Sequence, residues 1–165
     1  MLHNTGNINI VKVGVLTISD SRTIDSDASG KSVVSILKED GYEVSFYEVV
    51  SDDIAKIIDR LNTALKDNEL DLILTVGGTG FGPRDNTPEA TLKVVEKVIP
   101  GLPECMRTEG AKKAKEAYLS RGVAGIKGQT IIVNLPGSPK GARESLEAIA
   151  GLIPHSISMI KGKGH

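Results

Sequence analysis

Four runs of apolar, largely β-branched residues recur along the chain: Val11-Val13-Val15-Leu16-Ile18, Val44-Phe46-Val49-Val50, Leu70-Leu72-Ile73-Leu74-Val76, and the stretch from Gln129 to Leu135. Each has the length of a strand, and the third lacks any polar alternation, which marks a strand buried on both faces. Helical spacing fills the intervals. Gly30 to Gly41 encloses a helix that turns Val33, Val34, Ile36 and Leu37 inward, and Ile54, Ile57, Ile58, Leu61 and Leu65 make the most regular amphipathic pattern. Thr87-Pro88-Glu89-Ala90 reads as a helix start, with Thr87 as N-cap and Pro88 at the first helical position, and the spacing carries that helix to Val98. Further helix is expected between Gly101 and Leu119, and from Ala142 to Ile160 with a break at Pro154. Strands alternating with helices predict an α/β fold of three layers, a mostly parallel sheet with helices on both faces. One domain spans residues 1–165, with frayed ends at 1–9 and 161–165.

In such a sheet ligands gather outside the carboxyl ends of the strands. Ser19-Asp20 follows the first strand, Asp52-Asp53 the second, Gly77 to Asp85 the third, and Asn134 to Ser138 the last. All four polar clusters are therefore expected on one rim. Gly77, Gly78 and Gly80 lack the Cβ atoms that would keep backbone amides from an anion, and the following helix start adds free N–H groups and the positive end of its dipole. Asp85 does not belong in a bare anion cradle. A carboxylate there repels phosphate unless a divalent cation lies between them, and Mg²⁺ takes one or two protein carboxylates when phosphates complete its shell. Asp52 and Asp85 meet that count as metal-binding and catalytic candidates. The plainer alternative, that Asp52 or Asp53 caps the helix after it, applies to either residue taken alone.

Composition narrows the classes. Twenty basic against 21 acidic residues leave a net charge of −1, giving no basic field for nucleic acid and no polybasic membrane patch. Two Phe, three Tyr and no Trp supply no stacking platform for single strands. A single cysteine and an opening without a signal-like segment point to the cytoplasm. The three histidines, His3, His155 and His165, form no ligand pattern, Cys105 reads as a small core residue, and Lys112, Lys113 and Lys115 as a solvated face. Phe81 has two readings, packing under the loop or stacking on a ring. The Walker and dinucleotide fingerprints are both absent.

Gly77-Gly78-Thr79-Gly80 followed by Pro83-Arg84-Asp85, Thr87-Pro88-Glu89-Ala90 resembles the signature of the MogA/MoaB family of molybdenum-cofactor proteins, shared by the gephyrin and Cnx G-domains. The likeness extends to Val15-Leu16-Thr17-Ile18-Ser19-Asp20-Ser21, Val49 to Asp53, Leu119-Ser120-Arg121 and Asn134 to Pro139. It implies transfer of an adenylyl group from Mg-ATP to the phosphate of molybdopterin, with Mg²⁺ as cofactor and ATP as co-substrate. Asp52 and Asp85 then match the family's essential carboxylates. Gly77, Gly78, Thr79 and Gly80 match its phosphate and pterin loop, and Ser19, Asp20, Ser120, Asn134, Pro136, Gly137 and Ser138 match other parts of its substrate pocket. The resemblance also implies a homotrimer or homohexamer and a molybdenum-insertion protein as partner. Gly110 departs from the pattern, standing where family members often carry a polar side chain, so a hydrogen bond to the pterin is expected to be missing. Two alternatives remain at this point: a MoaB-like carrier that binds molybdopterin without adenylylating it, and a G-domain used as an oligomeric scaffold.

Overall fold

The computed structural model describes residues 10–67 and 69–163. Residues 1–9, Asn68, Gly164 and His165 lie outside that description, so the expected fraying of 1–9 and the positions of His3 and His165 fall there too. The strands are β1 (Lys12–Ile18), β2 (Glu43–Val50), β3 (Leu72–Val76), β4 (Lys97–Val98), β5 (Ala124–Lys127) and β6 (Thr130–Leu135). The helices are α1 (Ala28–Glu39), α2 (Ile54–Asp67), α3 (Thr87–Val94), α4 (Gly101–Ala111), α5 (Pro139–Ile149) and α6 (Ile153–Ile160), with 3₁₀ turns at Lys115–Leu119 and Ala150–Leu152. The six strands lie in the order β2-β1-β3-β6-β5-β4. β2, β1, β3 and β6 run parallel, whereas β5 is antiparallel to β6 and β4 to β5.

The three layers follow from alternation along the central strands. Val13 and Val15, Leu72 and Leu74, and Ile131 and Val133 face one way, into a core closed by α1, α4, α5 and α6 through residues such as Leu37, Met106, Leu146 and Ile157. Leu16, Ile73 and Ile132 face the other way, against Ile57 and Leu61 of α2 and Ala90 of α3. Both faces are covered, which is why these strands read as continuous apolar runs. β2 is an edge strand, and its burial alternates near its start.

The structure corrects four local expectations. The helix expected to reach Val98 stops at Val94, because Val95 turns extended and Lys97–Val98 pair with Gly125 and Ile126 as an edge strand. Thr87 is not the N-cap: Asn86 holds that position, and the Thr87 hydroxyl donates instead to Gly77 O at 2.8 Å. The break near Pro154 falls earlier, at Ala150–Leu152, and Pro154 sits in the first turn of α6, where its missing N–H costs nothing. The stretch between Gly101 and Leu119 divides into α4 and a 3₁₀ turn. At the far end, Lys161 pairs with Asp71 at 2.9 Å and Lys163 N–H donates to Ser158 O.

Beneath the first rim loop lies a buried polar knot. Asp27, fully buried, caps α1 by accepting from Gly30 N–H at 3.0 Å and takes the Tyr47 hydroxyl at 2.6 Å. Burial first, and then the Asp27 carboxylate, pushes ionisation of that hydroxyl well above the usual tyrosine range. Arg22 lies 3.9 Å from the same carboxylate, and it donates to Gly137 O together with Ser29. The knot thus ties β2 and α1 to the loop after β6. Tyr47→Phe leaves a buried charge one hydrogen bond short and is expected to cost about 1.5–3 kcal/mol in urea unfolding; an unchanged midpoint contradicts this reading of the knot.

Candidate functional site

The sheet changes direction between β1 and β3: the chain leaves β1 toward β2 on one side and returns past it to β3 on the other. The crevice at that reversal is where an open α/β sheet places its ligands, and the glycine loop begins there. Gly77 adopts φ +104° and Gly78 φ +68°, backbone that L side chains rarely adopt. A Cβ on Gly77 would lie 2.5 Å from Ile18 O, so β1 and the loop touch through backbone alone. Thr87 locks the turn by donating its hydroxyl to Gly77 O and its N–H to Gly78 O.

Three aspartates and an arginine meet on the rim. Asp20 N–H donates to Asp52 Oδ2 at 2.8 Å, and Asp52 N–H returns a bond to Asp20 Oδ1 at 3.0 Å. Arg84 grips both Asp20 oxygens in a bidentate fork at 2.9 Å, which holds the Asp20 carboxyl below the ordinary carboxylate range. Asp52 moves in the opposite direction. Its carboxyl is raised, first by burial, then by the Asp20 charge and less by Asp85. Asp85 folds back on its own loop, Oδ2 accepting from Gly82 N–H at 2.8 Å, and a Cβ on Gly80 or Gly82 would stand only 2.9 Å from that oxygen. Asp53 is the helix cap, accepting from Lys56 N–H at 3.0 Å. The capping alternative therefore belongs to Asp53, and Asp52 faces the cleft.

Asp20 is neutralised by Arg84 and Asp52 is not. Among the described residues no group of three or more His, Cys, Asp or Glu side chains is arranged to hold a metal. Asp52 and Asp85 instead form a two-carboxylate shelf in which Asp52 is burdened first by burial, then by the Asp20 charge and less by Asp85, an environment a hard cation with phosphate ligands would relieve. The donor set fits Mg²⁺.

On the other side of the loop lies a cavity of about 390 Å³, within the usual range for small-molecule sites. Thr79 and Gly80 form its near edge, Pro103 and Met106 of α4 and Ala117 an apolar wall, and Ser120, Ser138 and Lys140 a polar mouth. Thr79 and Gly80 thus stand between the cavity and the acidic shelf. Gly110 also lines the cavity, and a Cβ there would meet the Ala117 Cβ at 2.9 Å. Lacking a side chain, Gly110 lets α4 and the 3₁₀ turn approach closely there.

The other expected residues divide by exposure. Ser19 Oγ accepts from Ser21 and Arg22 N–H groups, closing the turn after β1. Ser138 caps α5 through Gly141 N–H, with Pro136 and Gly137 leading into that cap. Ser120 lies at the cavity edge, its Oγ accepting from Gly122 N–H at 3.3 Å. Asn134 is buried: its amide donates to Thr75 and Thr91 hydroxyls and accepts from Val123 N–H, which joins β6 to β3, α3 and the approach to β5. Its side chain braces the site. Phe81 is 72% exposed at the loop tip, which excludes packing under the loop. Cys105 is half-buried against the core, and His155 is exposed. Lys112 pairs with Glu109 and Lys113 lies 3.8 Å from Glu144.

Sequence reasoning missed two contributors. Arg22 supports the Gly137 loop, and Arg121 donates to the glycine loop at Gly80 O. The signal for Arg121 was its place directly after Ser120.

Residues 14–155 match the family described as "Probable molybdopterin binding domain". The chain belongs to this family. Members of the molybdopterin-binding domain family similar to it include the molybdopterin adenylyltransferase of Helicobacter pylori, 42% identical over 158 residues, 92% of this chain and 89% of that protein. Another is molybdenum cofactor biosynthesis protein B of Bacillus cereus, 34% identical over 141 residues, covering 84% of this chain and 83% of that protein. The crystal structure of the molybdopterin biosynthesis enzyme MoaB from Thermus thermophilus superposes with a TM-score of 0.85 at 46% identity, covering 93% of this chain and 98% of that one. Among the described residues no helix is long and apolar enough to cross a membrane.

Proposed function

We propose that the chain is a molybdopterin adenylyltransferase of molybdenum-cofactor biosynthesis. The observation that carries the reading is the junction at Thr79–Gly80, with an unneutralised carboxylate shelf on one side and a partly apolar cavity of ring-accommodating size on the other. The relative named for this reaction, similar over nearly the whole chain, supplies the chemistry. A terminal phosphate oxygen of molybdopterin attacks the α-phosphorus of ATP, the bond from that phosphorus to the bridging oxygen of the β-phosphate breaks, and pyrophosphate leaves with the electron pair. The product is a phosphoanhydride.

Two anions must approach within about 3–3.5 Å for that attack, so the protein's work is positioning and charge neutralisation, with no nucleophilic side chain needed. Asp52 and Asp85 are the residues that would hold Mg²⁺, which when bound neutralises phosphate charge and favours pyrophosphate as leaving group. Arg84 holds Asp20, and through it Asp52, in place. Gly77, Gly78 and Gly80 keep the backbone low enough for phosphate to reach it, while Ser120 and Ser138 line the pterin's side of the junction. A homotrimer or homohexamer, a cytoplasmic location and hand-over to a molybdenum-insertion protein belong to the same proposal.

The test is direct: purified chain with molybdopterin, ATP and Mg²⁺, following adenylylated product and pyrophosphate. Stoichiometric pyrophosphate supports the enzyme. Tight molybdopterin binding without pyrophosphate release, at saturating ATP and Mg²⁺, makes the chain a carrier instead.

A further inference from the structure

Arg121 makes an unusual set of contacts for a half-exposed side chain. Its Nε donates to Gly80 O at 2.8 Å, Nη2 to Asp85 O at 2.8 Å, and Nη1 to the Glu89 carboxylate in the first turn of α3. Its backbone N–H donates to Thr79 O at 2.9 Å. One residue thereby holds both ends of the segment from Thr79 to Asp85 and the helix that follows it. The orientation of the loop's amides follows. In a planar trans peptide the carbonyl and the next N–H point in opposite directions, so drawing Thr79 O and Gly80 O toward Arg121 turns the N–H groups of Gly80 and Phe81 away from it. Successive amides turned to one side make an anion-binding concavity.

We propose that Arg121 is a positioning residue for the transfer site: it holds the Gly80 and Phe81 amides as a cradle for a phosphate oxyanion and fixes the backbone from which the Asp85 carboxylate projects. The identity of that phosphate, whether of the nucleotide or of the pterin, rests on the functional reading above. The role requires a guanidinium. Three acceptors lie around it in different directions, and a planar fork reaches them together where an ammonium on a flexible stem cannot. Glu89 orients the fork from the helix side, and its carboxyl is held below the ordinary range, chiefly by Arg121. The acceptors in the loop are backbone carbonyls, so Arg121 acts on the ligand only through the loop.

The test uses amide NMR of the full chain, titrated in one arm with inorganic pyrophosphate and in the other with molybdopterin. In the parent chain the Gly80 and Phe81 amides are expected to shift and saturate in at least one arm, which assigns the phosphate source. Arg121→Lys should keep the dispersed spectrum of a folded chain yet weaken binding in that arm about tenfold, the equivalent of about 1.4 kcal/mol. Glu89→Gln, which leaves Arg121 in place but releases it on one side, should weaken it about threefold, in line with loss of charge assistance to one hydrogen bond. Ile157→Val, a core deletion in α6 within the cluster on the other face of the sheet from α2 and α3, controls for lowered stability and should bind as the parent does. Parent affinity in Arg121→Lys, or equal weakening in Ile157→Val, overturns the positioning role and leaves the functional reading intact. A parent chain that binds neither ligand overturns both.

Discussion

Asp85→Asn and Asp52→Asn are each expected to lower adenylyl transfer at least about tenfold, which corresponds to about 1.4 kcal/mol of transition-state stabilisation. Asparagine keeps the shape and one acceptor oxygen, so Gly82 N–H retains its partner at position 85 and Asp20 N–H its partner at position 52. Only the charge is lost. Because that charge is what the shelf offers a cation, the loss should fall on kcat and on the Mg²⁺ requirement, with molybdopterin binding in the cavity little changed. Turnover at the parent rate in both variants removes the carboxylates from the mechanism.

The two variants should differ in stability. The Asp52 carboxyl is raised by burial and by its neighbours, so its ionised form opposes the fold. A group whose folded pKa is raised contributes stability that is present below the unfolded value and lost as pH rises through the folded one. Without metal, Asp52→Asn is therefore expected to melt above the parent at pH 7, and the difference should shrink toward pH 4. Added Mg²⁺ should raise the parent's melting temperature more than the variant's. A variant that melts below the parent at pH 7 means that the charge assistance lost from the Asp20 N–H bond outweighs burial and repulsion. Loss of activity with gain of stability is the expected mark of a site that stores repulsion for function.

How much of this was legible beforehand depends on where each determinant resides. β1, β3 and β6 were readable because both of their faces are buried, which leaves an apolar run in the sequence. β4 was not. It has two exposed residues at the sheet's edge, and the stretch from Val95 to Val98 was absorbed into the helix begun at Thr87. β5 was hidden by Gly125, which looks like a turn residue but is needed because a Cβ would lie 2.6 Å from Lys97 O. The common rim was legible because a polar cluster follows each apolar run directly and β1, β2, β3 and β6 run parallel. Asn134 was singled out by its place at the end of the last strand and by the resemblance, and it does line the cavity; its three hydrogen-bond partners, from elements distant in sequence, were not readable. Arg121 was illegible as an organiser because its loop acceptors are carbonyls, present at every residue and specific to none. The cavity wall of α4 and α5 is likewise tertiary, assembled from positions that read individually as ordinary helix.

Gly77→Ala is expected to be the most damaging single change to the site's frame, and Gly41→Ala is its control. Both glycines have positive φ, +104° at Gly77 and +87° at Gly41, so alanine is strained at either position. The strain alone costs about 1–3 kcal/mol. The surroundings separate them. A Cβ on Gly41 meets nothing within 4 Å, whereas one on Gly77 lies 2.5 Å from Ile18 O, a backbone atom of the last residue of β1, which pairs with Val50 of β2. A flexible side chain could move aside; a carbonyl at the paired end of a strand moves only with the backbone around it. Overpacking of that kind adds about 1–3 kcal/mol, which brings Gly77→Ala to roughly 2–6 kcal/mol. Urea unfolding should place Gly41→Ala near the lower figure and Gly77→Ala well beyond it. In the folded fraction of Gly77→Ala, displacement of the loop from Ile18 should also disturb the Thr87 bond to Gly77 O and carry Gly78 to Gly80 away from the shelf, so pyrophosphate release per folded molecule should fall as well. Equal destabilisation of the two variants means that the contact between the β1 end and the glycine loop yields more easily than its backbone geometry indicates, and the loop is then not held by close backbone approach.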